Sequence, residues 1–468
     1  MRSKNLLIFL PFIVCFGALL LCILYVAGIT IRSVLLIIIA LSLVGPIAIG
    51  ILKNRVDLLE PIILSNISLG VMFIGRPLNR LATGEKWHLG YEMSGTFDEA
   101  LLIALIGIIF LQLGYYSYFG RTLARKVSVP LNFPPQKIAA AAWFYLILGT
   151  SLFGIFLSQQ GGIGILFLLL EGRQQSNSTL VLNSTGYLYN GILMFGASSL
   201  MFFALAIVTG RRFYWVWFLI SATVLLVFYG ARGARSQILP LLLAIPIFWY
   251  LIKQYRPKAS TVILVTVVSV ALMGWLRDTR LADENRDFIN TAVTAISSPI
   301  EQAKRILGGS DAEMFDSLAN ELLVVPEQLH FQHGATITDV MIRAVPRPWW
   351  PDKPLESNDA LVNTLWPEHY AMSRASPAFS IIGVAYADSG YFSVVLIMFL
   401  IGVMMSALWR WRQLHYQHPL VQMIYAMGVP FIVILMRGTI PDTLTRMLFL
   451  FMPLLLLLWL VRIRLIIR

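Results

Sequence analysis

The chain has 468 residues, of which 58% are apolar and only 13% charged, against roughly 25% charged in an ordinary soluble domain. With a mean hydropathy of +0.75 and several long uncharged runs, this excludes a water-soluble globular fold and empties any domain count based on length. The net charge of +12 is first a question of distribution across a membrane, and only then a possible nucleic-acid signal.

Apolar stretches long enough to cross about 30 Å of hydrocarbon lie near 6–28, 31–52, 59–78, 100–120, 138–159, 186–209, 213–230, 236–252, 260–277, 388–408, 420–437 and 443–462. They predict an all-α polytopic membrane protein with about 12 transmembrane helices. The opening MRSKN and its apolar run exceed the roughly 7–15 residues of a secretory core and lead directly into a second span, so the run reads as a retained helix. Cys15 and Cys22, the only cysteines, share that first span and read as packing residues, not as a disulfide or a metal pair.

With the N-terminus in the cytoplasm, the loops on that side hold 18 of the 36 Lys and Arg residues with only Asp57 and Glu60 as acids, a net +16, and the other side nets −4. Every short cytoplasmic loop then obeys the positive-inside rule, and both termini fall in the cytoplasm. The basicity is thus a topology signal that calls for no nucleic acid. Outer connections near 79–99 and 160–185 are moderate, and one of domain size, 278–387, separates residues 1–277 (spans one to nine) from 388–468 (spans ten to twelve). A structureless loop of that length is improbable, so it should fold. Helical spacing in RDFINTAVTAISSPIEQAKRIL and AEMFDSLANELLVVPEQL, with Ser310 and Asp311 as caps, predicts a partly helical loop. There is no fixed-period repeat and no matched pair of broken helices of the inverted-repeat kind. A P-loop, a GxGxxG after a strand, a HExxH and an EF-hand are all absent from the sequence.

Arginines on the outer side oppose the topology rule and need something anionic to meet them. Arg232 and Arg235 lie in YGARGARSQILP, a turn so short that both must sit at the outer rim. Ser236 can cap the next helix, whose N-terminal dipole favours an anion, and Gly230 and Gly233 allow close backbone approach, which together suit a phosphate; the alternative is snorkelling to lipid head groups. Arg343 and Arg347 are four apart in TDVMIRAVPRPWWPDKPLESND, where four prolines stiffen the chain and Trp349 and Trp350 offer flat apolar faces. Those faces suit sugar rings or an interfacial anchor, two uses that are compatible. Arg437, in MRGTIPDTLTRM with Asp442 and Arg446 close by, is a third basic point, and Arg277 with Arg280 a fourth. For proton chemistry the outer side offers His330, His333, Glu327, Asp339, Asp388 and Glu321. Nothing supplies a third and fourth ligand for a metal, so a general base is the better use, with His333 beside Gly334 prominent among them.

YGARGARS opening a helix, HGATITDVMIRAVPRPWWPDKP closing a large outer loop, and SIIGVAYADSGYFSVVLIMFLIG entering the next span together resemble the O-antigen polymerases, the Wzy-type oligosaccharide repeat-unit polymerases. The likeness in architecture covers nearly the whole chain; the motif likeness is confined to those stretches and Arg437. It implies glycosyl transfer on the periplasmic face of the bacterial inner membrane, without metal, nucleotide sugar or other cofactor. A glycan held on undecaprenyl pyrophosphate would pass to a sugar hydroxyl of an incoming undecaprenyl-pyrophosphate-linked repeat unit. A pyrophosphate leaving group needs fixed cations, and a compartment lacking ATP needs a substrate carrying its own activated bond. The resemblance implies phosphate contacts from Arg232 and Arg235, completed by Arg343, Arg347 and Arg437. It leaves His333, Asp339 and Asp388 as alternatives for activating the acceptor, and implies membrane lipids and a chain-length regulator (polysaccharide co-polymerase) as partners.

The nearest rival is an O-antigen ligase, kept open by the histidines of the large loop. A flippase or transporter would predict ionisable residues at mid-span, where this sequence has almost none. A metal-dependent enzyme using a polyprenyl-phosphate sugar would need acids in the first outer loop, which here is essentially Ile29 to Ile31.

Overall fold

The computed structural model of the chain describes residues 2–52, 57–127, 135–160, 162, 164, 188, 190–231, 235–253, 307–309, 312–345, 349–350, 352–373 and 377–452. Among them, eight helices are long and apolar enough to cross a membrane: α2 (Ile31–Leu52), α3 (Pro61–Thr83), α4 (Phe97–Tyr116), α6 (Pro135–Gln160), α7 (Asn190–Thr209), α8 (Arg212–Gly230), α14 (Ile381–Leu414) and α15 (Pro419–Arg437). Apolar helix is also present in α1 (Arg2–Ala27) and α9 (Arg235–Lys253), and residues 440–452 form α16. The chain therefore has the all-α architecture of a polytopic membrane protein, with one two-stranded hairpin, β1 (Trp87–His88) and β2 (Tyr91–Glu92), among the described residues. Each predicted span up to 252, and those at 388–408 and 420–437, coincides with one of these helices. The span predicted at 260–277 lies outside the described residues, as does the end of the last one beyond 452. So do Arg232, Arg277, Arg280, Arg347, the caps Ser310 and Asp311, and all but the last residue of the first predicted loop helix.

Shorter helices complete the described chain: α5 (Tyr118–Lys126), α10 (Met314–Glu321), α11 (Ala335–Ala344), α12 (Ser357–Leu365) and α13 (Pro367–Ser373). The helix expected through 312–329 stops at Glu321 and gives way to turns, Pro326 being unable to continue it. Conversely, α14 begins at Ile381, seven residues ahead of the predicted span. Ser380 caps it by accepting the Gly383 amide at 3.2 Å. In α3 a π-helical turn, Val71–Gly75, precedes Pro77, whose missing N–H breaks the regular ladder. The first-span cysteines depart from expectation, since Cys15 and Cys22 are free thiols on the exposed side of α1.

Two apolar cores lie side by side. The first joins buried residues of α1 to α4 with α10, α12, most of α14 and the end of α15, and the second joins α6 to α9 with the first half of α15 and Trp409 of α14. The closest seam is α4 against α14: a Cβ on Gly114 would collide with the Phe399 carbonyl, and one on Gly402 with the Leu111 carbonyl. Without a hydrophobic drive in lipid, such close backbone approach is what binds helices together. Polar pairing adds to it, since Gln112 donates to Asn66 at 2.7 Å and Asn66 to the Leu43 carbonyl at 2.9 Å, linking α2, α3 and α4.

Candidate active site at the loop end of the bundle

The sequence Asp388-Ser389-Gly390 interrupts α14. Gly390 takes φ 64° and ψ −145°, and Ser389 φ −157° and ψ 38°. Gly390 is required twice over, by its positive φ and because a Cβ there would lie 3.2 Å from the Phe331 ring. The break frees two carbonyls, and the incoming loop satisfies them: Gln332 donates its amide to Ala387 at 3.1 Å and His333 to Asp388 at 2.8 Å. To make that contact His333 adopts φ 34°, with Gly334 following at φ 87°. Two successive left-handed residues turn the chain sharply and leave the His333 ring in solvent. A non-glycine residue held in that region is the kind of local strain that functional sites carry.

The buried Asp388 carboxylate accepts four hydrogen bonds: from the Thr336 amide at 3.1 Å, Thr336 Oγ1 at 3.2 Å, Ser393 Oγ at 3.0 Å and Ser389 Oγ at 3.3 Å. Ser389 Oγ also lies 3.2 Å from His333 Nδ1. Since Ser389 gives its proton to Asp388, the consistent tautomer has Nδ1–H donating to Ser389, which leaves Nε2 as the free acceptor. The structure thus links His333 and Asp388 through a serine that the sequence reading passed over. Asp339 is engaged elsewhere: its Oδ2 accepts the Ser357 amide at 2.8 Å and the Ser357 hydroxyl, fastening the start of α12. His330 and Glu327 are exposed, away from these contacts.

Thr336, Asp339 and Arg343 lie along one face of α11, and Arg343 leads to the cations. Its Nη1 is 3.2 Å from Glu356 and its Nη2 3.2 Å from Asp442, whose other oxygen pairs with Arg446 at 2.8 Å. Burial pushes the Glu356 carboxyl up, against the pull of Arg343. Arg446 also borders a cavity of about 40 Å³ between α7, α8, α9, α15 and α16. Its lining is apolar apart from Arg446 and Gln237, the latter in the first turn of α9. α9 and Arg446 therefore border one cavity, and Asp442 links Arg446 to Arg343. Residues 232–234, which precede Arg235, lie outside the described residues, and so does any test of the cap expected at Ser236. Arg437 ends α15 and acts on Glu313, whose carboxyl is pushed up to about 7 because burial outweighs that attraction. Trp349 and Trp350 are exposed beyond the end of α11.

A second charged cluster went unforeseen. Arg76 and Arg80, one turn apart on α3, converge on Oδ2 of the fully buried Asp316 of α10, at 2.6 and 2.7 Å. Arg76 also donates to the Leu307 carbonyl at 2.8 Å, Arg80 pairs with Glu85, and His88 lies 3.6 Å from Asp316. Burial drives the His88 pKa down to about 4, more than the neighbouring Asp316 can restore. Around this cluster Asn320 donates to the His88 carbonyl at 3.1 Å, Thr96 to Ala319 at 2.8 Å, and Trp366 to Leu89 at 3.0 Å. The only hint in the sequence was the i, i+4 pair in RPLNR at the end of a span. Glu321, at the other end of α10, is buried against Gly383, and burial holds its carboxyl well above the usual range, offset only in part by the Ala387 backbone. Among the described residues no group of three or more His, Cys, Asp or Glu side chains is arranged to hold a metal ion.

Compared with family models, curated proteins and solved structures, the chain matches none.

Proposed function

We propose that the chain is a metal- and nucleotide-independent glycosyltransferase of the bacterial inner membrane, a polymerase of lipid-linked oligosaccharide repeat units for O-antigen or a related surface polysaccharide. The observation that carries this reading is α11. One short helix follows directly on an exposed base, His333, and near its other end bears Arg343, joined through Asp442 to Arg446 of α16, which borders the same cavity as α9. In this reading the loop end is periplasmic, about twelve spans place both termini in the cytoplasm, and a chain-length regulator works alongside.

Arg343 and Arg446, together with the sequence candidates Arg232, Arg235, Arg347 and Arg437, receive the pyrophosphate of the donor. Fixed guanidinium groups stabilise charge that grows as the bond breaks, and need no reorganisation to do so. The acceptor sugar hydroxyl gives its proton to His333 Nε2 while its oxygen bonds to the anomeric carbon of the growing glycan. The bond from that carbon to the pyrophosphate oxygen breaks, and undecaprenyl pyrophosphate leaves with the electron pair. Asp388, already accepting four hydrogen bonds, and Asp339, engaged by Ser357, hold the geometry and leave the proton to His333.

The test is the banding of surface glycolipid after deletion of the gene, with a plasmid copy restoring it. Loss of the ladder with retention of a core-plus-one-repeat band is the expected result. Loss of every band above bare core overturns the polymerase reading, and accumulated long lipid-linked polymer would then indicate a ligase.

A further inference from the structure

The inward face of α11 is fully committed: Thr336 to Asp388, Asp339 to Ser357, Arg343 to Glu356 and Asp442. Its opposite edge is apolar and bare. Ile337 and Met341, one turn apart, are 67% and 69% exposed, and beyond the helix Trp349 is 82% and Trp350 40% exposed. The tryptophans are held there because Lys353 donates its amide to the Trp350 carbonyl at 3.1 Å and its Nζ to Val345, the residue closing α11, at 3.2 Å. Two exposed apolar side chains on one edge of α11, and two more in a turn tied to its end by Lys353, concentrate apolar surface in one short segment, unlike scattered single residues.

The partners on the other face fix the height at which this edge lies. Asp388 sits at the break in α14, immediately before its long apolar stretch, and Asp442 lies in the first turn of α16. An element tied to the ends of two apolar helices runs where hydrocarbon meets head groups. The outward side chains of those same helices, Phe392 and Leu396 on α14 and Leu444 and Leu448 on α16, are also exposed, so lipid already has to cover the helices to which α11 is tied. Tryptophan favours this depth, and Lys353, tied to the same turn, puts positive charge at the level of lipid phosphates.

We infer that α11 and the Trp349–Trp350 turn dock on the bilayer surface, with the apolar edge in the boundary between head groups and acyl chains and the Thr336–Asp339–Arg343 face turned to the protein. The inference rests on the membrane architecture alone and stands whatever reaction the site performs. Its consequence is positional, because a helix seated on lipid holds His333 and Arg343 at the level where a lipid-borne phosphate emerges.

The experiment uses the full chain in phospholipid nanodiscs, with Cys15→Ser and Cys22→Ser and a single nitroxide label at Ile337→Cys, Met341→Cys or Trp349→Cys. Thr338→Cys, exposed on the flank of α11, is the reference. Power-saturation EPR compares collisions with oxygen, enriched in lipid, against a water-soluble nickel chelate. Labels at 337, 341 and 349 are expected to favour oxygen and to lie about 5–10 Å into the boundary region, with 338 favouring the chelate. Chelate access at 337, 341 or 349 equal to that at 338 would overturn the docking.

Discussion

Two charged regions stand at the same end of the bundle and use arginine in opposite ways. Around Asp316, Arg76 and Arg80 spend their hydrogen bonds on one buried carboxylate, on Leu307 and on Glu85, and the ring of contacts from Asn320, Thr96 and Trp366 closes over them. At the break in α14 the carboxylate is equally well served, by Thr336, Ser389 and Ser393, yet its neighbours are an exposed histidine in a left-handed turn and a pair of partly exposed ion pairs. The first region fastens the large loop to α3. The second has the same anchoring anion but leaves a base in solvent and its cations in ion pairs that are only partly buried. An arginine in a membrane protein is therefore not a site by virtue of its position; what matters is whether its acid is buried with it.

The largest effect is expected from breaking the first region. Asp316→Ala leaves two buried guanidinium groups without their anion and should cost on the order of 3–5 kcal/mol, read as a large drop in melting temperature of the nanodisc-embedded protein. Activity should fall only in step with the folded fraction. In the second region the two readouts separate. His333→Ala removes an exposed ring and should leave the melting temperature unchanged, while turnover of a reconstituted lipid-linked repeat unit falls roughly 10²–10⁴-fold if the base is lost. Equal turnover in that variant would sink the assignment of His333.

Arg343 sharpens the comparison further. If Arg343 meets the donor pyrophosphate, Arg343→Ala should raise the activation free energy of turnover by on the order of 2–5 kcal/mol, the cost of removing a cation from a desolvated phosphate, and Arg343→Lys should restore only part because one side of the guanidinium fork is gone. Thr336→Val removes the hydroxyl donor from the buried Asp388, though not the backbone amide. A loss of about 1.5–3 kcal/mol of stability is expected for a hydrogen bond to a charged group, measured by the same melting experiment. If Thr336→Val instead abolished turnover at unchanged stability, Asp388 would be more than a holder.

The transmembrane helices were legible because twenty-residue apolar runs have few alternative fates. The ends of elements were not. The first half of α14 is cut off from its span by Ser389 and Gly390, and nothing in an apolar count shows that the helix resumes across a break. His333 and Asp388 were visible as residue types, but Ser389 joins them only through the turn at Gly390, a three-dimensional fact. Asp339 looked like a candidate base in the sequence, and only the position of Ser357 shows that its carboxylate is already engaged. The Asp316 cluster was the least visible, since its members come from Arg76, Arg80, His88 and a loop more than 200 residues away, and no local pattern announces such a meeting.

The smallest expected effect tests how burial tunes the acids between the two regions. Glu313 is raised from the ordinary 4.5 to about 7 because burial outweighs the attraction of Arg437. A group whose folded pKa lies above its unfolded one contributes stability that is complete below the unfolded value and disappears as pH rises through the folded value. Wild-type protein should therefore lose stability between about pH 4.5 and 7 at this position, whereas Glu313→Gln, which stays neutral, should not. The melting temperatures of the two proteins should converge at the acidic end and part toward neutrality, with the variant the more stable at pH 8. A variant that is instead less stable at pH 8 would mean that the pairing with Arg437 outweighs the cost of burial, and Glu313 would then belong with Asp316 among the acids that hold the loop in place by their charge.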